Sequence, residues 1–142
     1  MLRGAFDSVG DRSPAEVEAD YLALLGEAIE TFGVETVTAE SGVARETVQA
    51  IANGNFPTVT LEEAAAILAT DPDRPATDAI TAEARDMLLM GMSMAVLDVE
   101  ALAAGIDGHL DPKEIQQKVE GRAPMTLEEY AMLHQHIEQE KR

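Results

Sequence analysis

The sequence predicts an all-α fold, and three observations carry the prediction. Apolar residues recur at three- and four-residue spacing along most of the chain, and helix-capping residues stand directly before those runs. The core must be built from Ala, Leu, Val, Ile and Met, because aromatic residues make up only 4% of the chain and Trp is absent. Such residues favour helices over sheets. A hydrophobic share of 46% over 142 residues is enough for one ordinary domain or two very small ones.

Ser13 and Pro14 open the first helix as N-cap and first-turn proline. It runs over 14–32, places Val17, Tyr21, Leu24, Leu25, Ile29 and Phe32 at helical spacing, and closes at Gly33. A short helix over 34–41 ends at Gly42, and the next, over 44–53, is stopped by Gly54. A loop containing Pro57 leads to Thr60, which caps a helix over 61–69 with Glu63 completing a capping box. The polar stretch 71–77 contains Pro72 and Pro75 and reads as a linker. The order then recurs. A long helix over about 78–94 carries Met87, Met90, Met92 and Met94, whose spacing points to the core or to an interface between halves. A short helix over 99–104 ends at Gly105, and Asp111 and Pro112 start a helix over 112–120 stopped by Gly121. Thr126 caps the last helix, 127–140, with Glu129 as the second box.

The two halves share sequence as well as order. "ETVQAIANGNFPTVTLEE" aligns with "KEIQQKVEGRAPMTLEE" after a one-residue deletion. Val48 matches Ile115, Gln49 matches Gln116, Gly54 matches Gly121 and Pro57 matches Pro124, and Thr-Leu-Glu-Glu recurs intact. The expected organisation is therefore a flexible N-terminus over 1–12, a four-helix unit over 13–70, the linker 71–77, and a second, diverged unit over 78–142. Each half alone is near the size at which a core is marginal, so the two are expected to pack together.

Residues 41–54, "SGVARETVQAIANG", carry the functional signal. A helix-turn-helix needs a tight turn, here at Gly42, and an apolar seam between two short helices, here Val37, Val43, Val48 and Ile51. From Val34 to Leu68 the chain resembles the phage-repressor (Cro-type) helix-turn-helix family. The resemblance implies that the second helix reads bases, from Arg45, Glu46 and Thr47 at its start, and that Asn53 and Asn55 flank a phosphate contact at Gly54. Gln49 completes the exposed set. Thr38 departs from the family, which usually has Ala packed under the turn, and Ala50 offers only a methyl contact. In the second half the matching turn is four residues longer, so Lys113, Gln116, Gln117, Lys118 and Arg122 form only a secondary candidate surface.

Charge complicates a DNA reading. The chain carries a formal net charge of -17, from 27 Asp and Glu against 10 Lys and Arg. The acid is even: residues 1–75 hold 14 acidic and 4 basic groups, residues 76–142 hold 13 and 6. Even acid, only three lysines and no Cys resemble the cytoplasmic proteins of extreme halophiles, and the chain as a whole resembles a haloarchaeal protein of an uncharacterised family. Segment 43–57 is neutral, with one base and one acid, and segment 109–122 is neutral with three of each. The leading expectation is a DNA-binding, transcription-regulator-like protein reading through 44–53, and the alternative is a protein-interaction adaptor on the same, degenerate fold. A homodimer is compatible with either.

Other chemistry finds little support. Counted back from Glu114, an EF-hand reading of "DGHLDPKE" has Ala103 and Gly105 where side-chain ligands belong, so Asp111 reads as a helix cap. His134 and His136, two apart on a helix, point in different directions, and no catalytic motif converges, so no enzyme, metal or cofactor is expected. No signal peptide is evident, and the longest nearly apolar run, 87–97, is 11 residues, short for a bilayer span. A cytoplasmic protein is the expectation.

Repulsion among so many carboxylates makes the fold salt-dependent, because the Debye length falls to about 3 Å at 1 M. Circular dichroism is expected to show helix content or melting temperature rising between about 0.1 M and 2 M KCl. A flat response would remove the halophile reading.

Overall fold

The structure, a computed structural model, describes residues 9–141. It is all-α. A 3-10 turn, Val9–Asp11, precedes α1 (Pro14–Phe32), α2 (Val34–Ser41), α3 (Arg45–Ala52) and α4 (Leu61–Leu68). The second half repeats the order in α5 (Thr77–Ala95), α6 (Val99–Gly105), α7 (Pro112–Val119) and α8 (Leu127–Glu140).

Four of these helices start on a full capping box. The side chains of Ser13, Thr60, Asp111 and Thr126 accept from the backbone N–H three residues on, and Glu16, Glu63, Glu114 and Glu129 reach back to the cap. Each such cap contributes about 0.5–2 kcal/mol by satisfying donors that the helix itself leaves unpaired.

The halves meet at the two equivalent threonines. Thr60 and Thr126 form an isolated antiparallel bridge. The Leu61 N–H donates to the Met125 carbonyl at 2.7 Å, and the Leu127 N–H donates to the Val59 carbonyl at 2.7 Å. Leu61 and Leu127 are the first residues of α4 and α8, so each half satisfies an orphan N–H of the other. All four residues flanking the threonines are buried.

Helix packing follows the same pseudo-two-fold logic. The first helix of each half packs on the fourth helix of the other, α1 on α8 and α5 on α4. The stripe on α1 is Val17, Tyr21, Leu25 and Ile29, and its counterpart on α5 is Ile80, Ala84, Leu88 and Met92, all buried at four-residue spacing. Leu22 is buried too, whereas Leu24 and Phe32, expected in the core, are only half-covered. Both still pack against the edge of the core.

Where Tyr21 lacks a pseudo-equivalent partner of like size, the core becomes polar. Tyr21, Tyr130 and His134 cluster with ring centroids 5.6–6.3 Å apart. The Tyr130 hydroxyl donates to the Ala84 carbonyl at 3.2 Å. Burial pushes both tyrosine hydroxyls above their ordinary range, so both stay protonated, and the Tyr21 hydroxyl is hydrogen-bonded to His134 Nδ1 at 2.5 Å.

Two expectations are corrected. The methionines are not a core stripe: Met92 is buried and Met87 half-buried, but Met90 and Met94 are exposed. Gly91 explains the asymmetry, because a Cβ there would lie 2.6 Å from Ile137 Cγ2. That close approach of α5 to α8 leaves the opposite face of α5 outside. Of the flexible N-terminus expected over 1–12, residues 1–8 lie outside the described residues. Residues 9–11 instead form the 3-10 turn, with Val9 buried and Gly10 so close to α8 that a Cβ would meet the Gln139 backbone N at 2.9 Å. The segment 71–76 is a short turn held by an Asp71–Arg74 ion pair at 3.9 Å.

Burial lowers the proton affinity of His134, Glu138 opposes that shift and Lys141 reinforces it. The unfolded chain takes up this proton near pH 6.5 while the folded chain does not, so stability falls as pH drops from about 7.5 to 6. Urea midpoints across that interval are expected to decline in the native chain. In His134→Gln, whose amide can hydrogen-bond Tyr21 in either direction without titrating, the decline should vanish.

Candidate functional site

The turn between α2 and α3 has the geometry the sequence asked for. Gly42 sits in the left-handed region at φ 74°, where a Cβ would be strained, and so lets α3 double back on α2. Val37, Val43, Val48 and Ile51 fill the seam and are all buried. The Ser41 hydroxyl accepts from the Val43 N–H at 3.1 Å, which fixes the turn's exit. One strain remains under the turn: the Thr38 Oγ1 is buried with no hydrogen-bond partner.

With Val48 and Ile51 turned inward, the outer face of α3 is open. Arg45, Glu46, Gln49, Asn53 and Asn55 are exposed, and Ala50 is half-covered. Together they line one shallow depression of about 370 Å³. Thr47 stands apart, half-buried and not part of that depression. Gln49 and Asn53 are linked at 3.4 Å, so these amides are partly engaged with each other. Arg45 forms an ion pair with Glu35 of α2, both side chains being well exposed. Phe56, next to Asn55 in the chain, is 59% exposed.

The secondary surface does not assemble as expected. Lys118 is only 15% exposed and donates to both oxygens of Glu129, at 2.7 and 2.8 Å. Arg122 is held by Glu120 at 2.5 Å, and Gln116 reaches the same carboxylate at 3.5 Å. Gln117 is half-buried, and Lys113 alone projects freely. The longer turn before α7 is built by Asp107 and Gly108, both left-handed, and Asp111 is occupied as the α7 cap.

The wider pattern is the decisive electrostatic fact. Among the described residues, Arg12, Arg45, Arg74, Arg85, Lys118, Arg122 and Lys141 are each paired with a carboxylate of this chain. Lys113 is the one described base outside these pairs. The well-exposed pairs, such as Arg45–Glu35, contribute only about 0–1 kcal/mol each, yet together the seven pairs leave no basic patch among the described residues.

A cleft of about 410 Å³ carries residues that no sequence pattern signalled. Glu18 of α1, His109 of the α6–α7 turn and Glu128 of α8 share it with Leu110 and Met132. Burial, then the charge of Glu128, raises the Glu18 carboxyl above its ordinary value. Residues brought together from three distant segments leave no spacing to read. No group of three or more Asp, Glu or His among the described residues is arranged to hold a metal. Among them, too, no single helix is long and apolar enough to cross a membrane, and α5 with α6, which reach that length together, are bent by 93°.

The family of unknown function DUF5791 matches residues 17–140, from the first core residue of α1 to the end of α8. The chain belongs to this family. The match spans both four-helix halves. No curated protein and no solved structure matches the chain.

Thr38→Ala removes the unpaired hydroxyl and installs the better helix former. The variant is expected to be more stable by about 1 kcal/mol, read as a raised urea midpoint. Val48→Asp, which buries an unpaired charge, is expected to unfold the unit.

Proposed function

We propose that this chain is a protein-interaction adaptor on a helix-turn-helix scaffold, docking a protein partner on the outer face of α3 in the concentrated-salt cytoplasm of a halophile. One observation carries the reading: of the described Lys and Arg all but Lys113 are paired with the chain's own carboxylates, and the α3 face holds a single base, Arg45, itself paired with Glu35. DNA affinity rests on several Lys and Arg displacing the counterions condensed on the phosphates, and this surface has none to spare. Base contacts from Arg45, Gln49 and Asn53 would discriminate between bases by about 1–3 kcal/mol each, but discrimination does not replace the phosphate contacts that offset the about 4–15 kcal/mol lost on association. A protein partner avoids that shortfall, because Phe56 supplies an exposed aromatic anchor beside the neutral amide face.

DNA reading is the second hypothesis, and one observation favours it. Arg45, Gln49, Asn53 and Asn55 are jointly exposed, with nothing from the second half over them. The two are separated by a photo-crosslinker placed at Gln49 and a mobility shift with genomic fragments, both in about 2 M KCl. The adaptor reading expects a protein adduct that Arg45→Ala or Phe56→Ala diminishes, and no shifted DNA. A DNA shift weakened tenfold or more by Arg45→Ala, with a salt slope near -1 from its single phosphate-competent base, would reverse the assignment.

A further inference from the structure

The uncovered half of α5 adjoins an acidic groove, and the two differ from the α3 face in kind. Leu89, Met90 and Met94 are 42%, 55% and 65% exposed, and Val96, just past the helix, is 88% exposed. No charged residue occurs in 87–97, although the chain carries -17 overall. Val96 ends α5 at φ 56°, a left-handed conformation that β-branched residues rarely adopt, and it holds its apolar side chain in solvent. Leu89 also forms part of an open groove of about 700 Å³ whose walls include Glu62, Asp78, Asp86 and Glu120. The base in that groove, Arg85, already donates to Glu62 at 3.1 Å and to the Lys118 carbonyl at 3.2 Å. Asp86 and Asp98 mark the two ends of the uncharged run, and both are exposed.

We infer that this face of α5 and its groove dock a basic amphipathic helix of a partner protein. Its apolar side chains would cover Leu89, Met90 and Met94, and its lysines or arginines would face Asp78 and Asp86. Charge complementarity selects this occupant. A second copy would lay one acidic rim against another, in a chain whose self-repulsion is already large. A membrane surface asks for Lys and Arg beside the apolar face, and here the rim is acidic. Flexible methionines suit such a groove because they repack around different apolar anchors. The site is separate from α3 and does not rest on the function proposed there.

The full chain is titrated, by fluorescence anisotropy in about 0.5 M KCl, with a labelled Leu/Lys amphipathic peptide of about 18 residues, roughly five helical turns, and with its Leu/Glu counterpart. The Leu/Lys peptide is expected to bind at least about tenfold tighter. The double variant Met90→Gln, Met94→Gln should weaken it at least about tenfold, and Asp86→Asn should weaken it and flatten its salt dependence. Glu27→Gln, a carboxylate outside the groove, should leave it unchanged. Melting curves should coincide, since all these side chains are exposed. Equal binding of both peptides, or indifference to the methionine variant, overturns the proposal. So does a concentration-dependent dimer lost in that variant by sedimentation, which assigns the face to a second copy. Binding of phosphatidylcholine vesicles lost in the same variant likewise overturns it and assigns the face to a lipid surface.

Discussion

Two backbone hydrogen bonds set the frame on which everything else is arranged. A helix start has orphan N–H groups that must find partners when buried. The starts of α4 and α8 are buried at the middle of the molecule, and each finds its partner in the carbonyl just before the other helix, Met125 for Leu61 and Val59 for Leu127. Separating the halves would strand both donors and expose the stripes on α1 and α5 together. The bridge therefore dictates that the first helix of each half covers the fourth helix of the other. It also dictates that α3 and α7 are left to the outside, because the inward positions beside them are taken.

Much of this was legible in the residues. Helix starts were readable because a cap is a local event: Ser13, Thr60, Asp111 and Thr126 act on a residue three places on. The seam of Val37, Val43, Val48 and Ile51 was readable for the same reason, since turn and spacing lie within one short segment. Met90 and Met94 were misjudged because their burial depends on how closely α8 approaches at Gly91, a distance that no periodicity encodes. Lys118 was misjudged because its partner, Glu129, sits on the next helix and also serves as a capping residue there. The cleft of Glu18, His109 and Glu128 and the pairing of Tyr21 with His134 join residues far apart in sequence, and nothing local announces them.

The charge distribution links fold to function. In a chain at -17 the described Lys and Arg other than Lys113 are paired with carboxylates, and some of these pairs join helices: Arg85 ties α5 to α4 and to the end of α7, and Lys118 ties α7 to α8. What stays uncharged is then informative by contrast. The α3 face is neutral and amide-rich, whereas the end of α5 is neutral and apolar. Neutral ground in an acidic surface is where a partner approaches with least electrostatic opposition.

The bridge at Thr60 and Thr126 has the form of a contact between identical subunits, since each side supplies the same atoms to the other. In a true symmetric dimer every substitution falls on both sides at once, so neither copy can change alone. Joined in one polypeptide, the two sides are independent sites of mutation. One half can keep a tight Gly42 turn and a clear outer helix, while the other lengthens its turn and commits Lys118 to the scaffold. The fold thus holds a symmetric frame in which asymmetry carries no penalty.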